Sequence, residues 1–138
     1  NKENKVKDAL EFYGKNIGLT FQIADDTLDY NSELKFFGKE IGNDFYEGKV
    51  TLPIILLYQK LGANEKEELK EFFKKKHRSV DEFNKVLLMI KKYNIIFECY
   101  KKAEHFINLA SNSLSIFDES KEKEILQGLT SFSLERAF

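Results

Sequence analysis

Four polar residues near the start of the chain have the types and spacing of a cation site. Gln22, Asp25, Asp26 and Asp29 stand at i, i+3, i+4 and i+7, so a helix would present all four on one face. Apolar residues occupy both flanks of that face, and no lysine interrupts the segment. We therefore predict that this polar stripe lines a cavity rather than facing open solvent.

Electrostatics indicate which ligand the stripe would favour. Like charges such as Asp25 and Asp29 at i, i+4 cost about 0.2–0.5 kcal/mol on a helix, and a carboxylate at a helix C-terminus also opposes the helix dipole. A bound divalent cation would offset both the repulsion and the unfavourable dipole interaction. Ligands that are all oxygen suit Mg²⁺, which completes its octahedron with water and phosphate oxygens. The expected ligand is a magnesium-bound phosphate ester.

Two Gly-Lys pairs follow the stripe, Gly38-Lys39 and Gly48-Lys49. Glycine lets the backbone approach an anion closely, and the ammonium groups could face phosphate oxygens. A lysine after a glycine in a loop is more often a solvated surface residue, so the pairs alone leave both interpretations open.

Helical periodicity predicts the elements that carry these residues. Val6, Leu10, Tyr13 and Ile17 follow the spacing of an amphipathic helix that runs into the stripe and ends near Tyr30. Residues 31–50 lack periodicity and hold three glycines, which predicts a long loop. Further helices are expected over 51–62, after the capping-box pairs Asn64/Glu67 and Ser79/Glu82, through Cys99–Leu114, and beyond a break near Asp118.

Strand-like alternation is absent from the sequence, so the predicted fold class is all-α with about six helices. No apolar run approaches twenty residues, which predicts no membrane span. The N-terminal residues lack a leader pattern, and the lone Cys99 fits a reducing compartment, so a cytoplasmic location is expected. The net charge of −1, with acids and bases interspersed, argues against nucleic acid as a partner.

Arginine occurs only at Arg78 and Arg136, which limits the bidentate phosphate clamps that the chain can form. The two arginines lie in unrelated segments. The run KKKHRS around Arg78 is expected to be a solvated loop.

The ordered motifs between residues 18 and 53 resemble the second aspartate-rich region of the polyprenyl (trans-isoprenyl) diphosphate synthase family, including octaprenyl-type chain-elongating synthases. The residues that carry this resemblance are Gly18-Leu19, Phe21-Gln22-Ile23, Asp25-Asp26, Leu28-Asp29-Tyr30, Gly38-Lys39, Gly42-Asn43-Asp44, Glu47-Gly48-Lys49 and Thr51-Leu52-Pro53. The resemblance implies that residues 1–138 form the C-terminal portion of the isoprenoid-synthase helical bundle.

The resemblance also implies a role for each matching residue. The metal ligands, which hold Mg²⁺ against the allylic diphosphate, would be Asp25, Asp26 and Asp29. Lys39 and Lys49 would contact the same diphosphate. Gln22 and Asp44 would belong to the substrate-binding set, with Asp25, Asp26, Lys39 and Lys49 taking part in catalysis.

The implied reaction condenses an allylic diphosphate with isopentenyl diphosphate. The family also needs a first aspartate-rich motif followed by paired arginines, and the sequence contains neither. We therefore expect the chain to be inactive alone and to need a missing N-terminal half or a full-length synthase subunit, as a homo- or heterodimer. The alternative is a non-catalytic remnant or regulatory subunit that binds a full-length synthase.

Overall fold

The computed structural model describes residues 1–38, 40–135 and 138. Those residues form seven α-helices and two 3-10 helices, with no strand among them. The α-helices are α1 (Lys2–Leu28), α2 (Asn43–Glu47), α3 (Leu52–Lys60), α4 (Ala63–Lys74), α5 (Val80–Lys92), α6 (Ile95–Ser113) and α7 (Lys121–Glu135), and the 3-10 helices are Ser32–Phe37 and Leu114–Ile116. The all-α prediction is confirmed.

Two compact units make up the chain, Asn1–Ala24 with Tyr100–Phe138, and Asp25–Cys99. The core of the first unit joins Tyr13 to Ala110 and Leu114. The Tyr13 hydroxyl also donates to the carbonyl oxygen of Leu126 at 2.6 Å, so the phenol contacts α7 as well as the core. None of the described helices is long and apolar enough to cross a membrane.

Aromatic rings fill the centre of the second unit. Phe45 is fully buried on α2, and its ring centroid lies 5.5 Å from those of both Phe73 and Phe83. Tyr46 and Tyr30 reach the same Phe83 ring, at 5.4 and 6.0 Å. This aromatic cluster holds α2, α4 and α5 together through contacts that aromatic pairs favour.

Residues 31–50, predicted to be a plain loop, contain the first 3-10 helix and α2. Gly42 precedes α2 with a φ of 96°, and a Cβ atom there would lie 2.7 Å from the Phe83 ring. A side chain at residue 42 is therefore excluded both by backbone conformation and by close packing.

The two predicted capping boxes can be compared with the observed starts of α4 and α5. At Ser79 the prediction is confirmed, because its hydroxyl accepts from the Glu82 amide at 3.1 Å and its own amide donates to the Glu82 carboxylate at 2.9 Å. At Asn64 the prediction is wrong, since α4 begins at Ala63 with Gly62 as its N-cap. The predicted break near Asp118 is confirmed, since it separates the second 3-10 helix from α7.

Alanine substitutions at two glycines should change stability in opposite directions. Gly42→Ala is expected to lower the free energy of unfolding by more than about 1 kcal/mol, because of the left-handed φ and the Phe83 ring. Gly14→Ala, within α1 and with open space around an added Cβ, should raise it by about 0.5–1 kcal/mol. Urea denaturation of both variants measures these changes, and equal shifts would contradict this account of Gly42.

Candidate functional site

The end of α1 presents the aspartates of the polar stripe at different depths. Asp25 is exposed, Asp26 is only 9% exposed, and Asp29 is half-buried just beyond the last helical residue. Thr27, between these aspartates in the sequence, is fully buried. Gln22 is exposed on the part of α1 that belongs to the first unit, so the site below is built from second-unit residues.

Asp29 uses both carboxylate oxygens to hold the turn that begins α2. Its Oδ1 accepts from the Gly42 amide at 3.2 Å and its Oδ2 accepts from the Asp44 amide at 2.6 Å. Gly42, the N-cap of α2, supplies no side-chain cap. Asp29, just after α1, therefore supplies the acceptor that an N-cap side chain would normally provide.

This anchoring places Asp44 within electrostatic reach of Asp29 and Asp26. The pKa of Asp44 is raised, first by burial and then by the negative charge of Asp29, with a further contribution from Asp26. The positive charge of Lys49 acts in the opposite direction on the same pKa. Asp26, Asp29 and Asp44 thus form an acidic cluster whose mutual repulsion a cation would relieve.

Tyr30 places a phenol beside the acidic cluster. Its ring is 1% exposed, and its hydroxyl is buried without a hydrogen-bond partner among the described residues. Burial raises the pKa of this phenol most, followed by the charges of Asp44, Asp29 and Asp26. Sequence reasoning assigned Tyr30 no role of its own, and its only signal there was its place in the Leu28-Asp29-Tyr30 motif.

Lys49 follows α2 on an exposed turn. Its amide donates to the Asp44 carbonyl oxygen at 2.8 Å, and Gly48 before it adopts a left-handed φ of 75°. The turn therefore keeps Lys49 next to Asp44, two predicted site residues that lie five positions apart. Lys39, the other predicted lysine, lies outside the described residues.

Arg78 is the main site feature that sequence reasoning missed. The KKKHRS segment was expected to be solvated, but Arg78 is half-buried and its guanidinium donates to three backbone carbonyls. Nη1 contacts the Phe72 and Lys75 oxygens at 3.1 and 2.6 Å, and Nη2 contacts the Tyr46 oxygen at 3.4 Å. No local pattern in the sequence could reveal a contact to α2, 32 residues away.

The acidic cluster suits a cation that takes few protein ligands. Within the described residues, no three His, Cys, Asp or Glu side chains form a group that could hold a metal by itself. Mg²⁺ differs from ions that need a full protein cage, because it uses one or two carboxylates and keeps water and phosphate oxygens. The all-oxygen donor set of the three aspartates fits that kind of ion.

Comparison with known proteins gives a consistent result. Residues 1–90 match the family model described as Polyprenyl synthetase. The chain is 30% identical over 132 residues to the all-trans-nonaprenyl-diphosphate synthase (geranyl-diphosphate specific) of Rhodobacter capsulatus, covering 96% of this chain and 40% of the relative. It is also 30% identical to octaprenyl diphosphate synthase of Haemophilus influenzae, covering 94% of this chain and 39% of the relative.

Solved structures agree with the sequence matches. The polyprenyl synthase of Caulobacter crescentus CB15, complexed with calcium and isoprenyl diphosphate, superposes with a TM-score of 0.84 at 31% identity, covering 95% of this chain and 40% of that one. Octaprenyl pyrophosphate synthase of Helicobacter pylori gives a TM-score of 0.80 at 32% identity, covering 92% and 40%.

The chain spans about 40% of the length of these relatives. Its match to the family model extends over more than half of its own length. The matched residues include the polar stripe, the acidic cluster and the Lys49 turn. This chain belongs to the polyprenyl synthetase family.

Proposed function

We propose that this chain contributes the second aspartate-rich, diphosphate-binding part of a prenyltransferase active site. The observation that carries the proposal is the acidic cluster of Asp26, Asp29 and Asp44 held beside Lys49 within a family-matched segment. Carboxylates beside an ammonium group suit a ligand that is itself a cation bound to a polyanion. An allylic diphosphate with Mg²⁺ has that charge pattern.

Each residue would have a defined task in the reaction. Asp25 and Asp26 would hold Mg²⁺, while Asp29 would combine its predicted ligand role with anchoring of the α2 turn. Mg²⁺, when bound, would neutralise the charge that develops on the departing diphosphate. Lys49 would stabilise the same charge from the protein side, most strongly in the transition state.

The remaining predicted residues complete the proposal. Lys39 would contact the diphosphate together with Lys49, Gln22 would lie near the reacting centre, and Asp44 would support the Lys49 turn. The proposed reaction ionises the allylic diphosphate, the double bond of isopentenyl diphosphate attacks the allylic cation, and a proton is lost. These roles do not require the protein to supply every ligand of the metal, because Mg²⁺ keeps water and phosphate oxygens as ligands.

We further propose that residues 1–138 are a partial synthase domain and are inactive alone. The sequence has one DDxxD motif and no adjacent arginines, and it spans about 40% of its relatives. A surface that could receive the remaining part lies on α7. Ile125, Leu129 and Phe132 fall on one helix face and are 63%, 41% and 59% exposed.

Loss of a proposed metal ligand should abolish activity of a reconstituted enzyme. The chain is combined with the remaining N-terminal portion of the Haemophilus influenzae synthase and assayed with labelled allylic and isopentenyl diphosphates. Asp25→Ala is expected to lower kcat/KM by about 10²- to 10³-fold, because stabilisation of the departing charge is lost. Asp8→Ala, an exposed aspartate on the same helix, should leave the rate unchanged. Turnover by the 138-residue chain alone would contradict the proposed incompleteness.

Binding of the N-terminal portion should require the apolar face of α7. Replacing both Ile125 and Phe132 by serine is expected to abolish co-elution with the N-terminal portion, since buried apolar area drives such association. Leu88→Ser, at a leucine that is 69% exposed on α5, should have no effect. Wild-type chain that binds only a full-length synthase, without restoring activity, would instead favour the regulatory-subunit alternative.

Burial of Asp44 and repulsion within the acidic cluster should make stability depend on pH. A raised pKa means that folded Asp44 binds a proton more readily than unfolded Asp44, so stability falls as pH rises from the ordinary aspartate pKa through the folded value. Asp44→Asn removes this ionisation and should raise the melting temperature at pH 7. The gain should shrink at pH values below the ordinary aspartate pKa, where Asp44 is protonated in both states.

Thermal melts from pH 3 to 8 measure this difference. Asp118→Asn, at an exposed aspartate outside the cluster, is the matched control and should change little. A lower melting temperature for Asp44→Asn at pH 7 would mean that the Asp44 charge stabilises the fold, contrary to the repulsion described above.

A further inference from the structure

We infer that Arg78 is a positioning residue that holds the Lys49 turn in the place where its ammonium group can reach a diphosphate. The inference rests on the proposed function for Lys49. It concerns an arginine on the α4–α5 turn that no motif in the sequence singles out.

The hydrogen bonds of Arg78 join two parts of the second unit. Two go to the carbonyl oxygens of Phe72 and Lys75, which close its own turn. The third goes from Nη2 to the Tyr46 carbonyl oxygen in the last turn of α2. Its Cζ also lies 5.9 Å from the Phe73 ring centroid, within the range of a cation–π contact. Arg78 is therefore held by contacts within α4 and its own turn as well as by its contact with α2.

Gly48 is packed directly against this guanidinium. A Cβ at residue 48 would lie 2.6 Å from Nη2 and 3.0 Å from Cζ of Arg78. The left-handed φ of 75° favours glycine for a second reason. Glycine at residue 48 therefore allows Arg78 to approach the backbone, whereas the sequence suggested that it allowed an anion to approach.

Lys49 depends on this contact for its position. Its backbone follows Gly48 directly and is held by the bond from its amide to the Asp44 carbonyl oxygen at 2.8 Å. A lysine side chain is long and flexible, so the placement of its backbone decides which phosphate oxygens it can reach. Arg78 donates to carbonyls and would not contact the ligand, which makes it a positioning residue rather than a catalytic one.

Amide hydrogen exchange tests the positioning without any assay of function. Arg78→Met keeps the aliphatic stem but removes the donors, and exchange at the Gly48 and Lys49 amides should become roughly three- to tenfold faster. Arg78→Lys, which keeps the charge without the planar fork, should fall between wild type and Arg78→Met. Lys76→Ala removes an exposed charge from the same turn and should leave both amides unchanged.

Binding of inorganic pyrophosphate with Mg²⁺, measured by calorimetry, tests the link to Lys49. Arg78→Met should raise the Kd by roughly three- to tenfold in the wild-type background and should leave it unchanged in a Lys49→Ala background. Equal weakening in both backgrounds would overturn the link, because Arg78 would then act independently of Lys49. Unchanged exchange at the two amides would overturn the positioning role itself.

The two experiments separate the inference from the proposed function. Wild-type chain that binds no pyrophosphate would contradict the proposed function of the half-site. Exchange at Gly48 and Lys49 would still decide whether Arg78 holds the turn.

Discussion

The second unit depends on one carboxylate that joins distant parts of the chain. Asp29 lies just after α1, and its carboxylate accepts hydrogen bonds from amides 13 and 15 residues further along the chain. A helix of five residues such as α2 cannot be stable on its own in water, because helix nucleation is unfavourable. The two hydrogen bonds that Asp29 accepts satisfy the Gly42 and Asp44 amides at the start of α2, where the N-cap glycine offers no side-chain acceptor. Without them, α2 would have only its few local backbone hydrogen bonds, such as the one from the Tyr46 amide to the Gly42 carbonyl oxygen at 3.0 Å.

The rest of the site follows from how α2 is held. Phe45 buries one side of it in the aromatic cluster, Asp29 anchors its start, and Arg78 contacts its end through the Tyr46 carbonyl oxygen. Asp44 is turned toward the other acids, and the chain leaves α2 at Gly48 toward Lys49. The positions of the charged groups are therefore consequences of backbone contacts more than of pairing between the charges themselves.

Holding these acids together opposes folding. Burial and the neighbouring carboxylates raise the pKa of Asp44, and the Tyr30 hydroxyl is buried beside them without a partner among the described residues. Arrangements of this kind are concentrated at functional sites, where a ligand supplies the missing compensation. The repulsion between these carboxylates weakens the fold, and the same repulsion would favour binding of a cation with a diphosphate.

The sequence by itself determined the helical class, most helix positions, the Ser79 cap and the grouping of acids along α1. These features depend on periodicity and on hydrogen bonds between residues a few positions apart, so they can be read locally. It did not determine the presence of α2 within residues 31–50, or the part played by Tyr30 and Arg78. Only the tertiary structure decided those, because Asp29, Phe83 and Arg78 act on α2 from more than ten residues away, and such contacts exist only once the segments have packed.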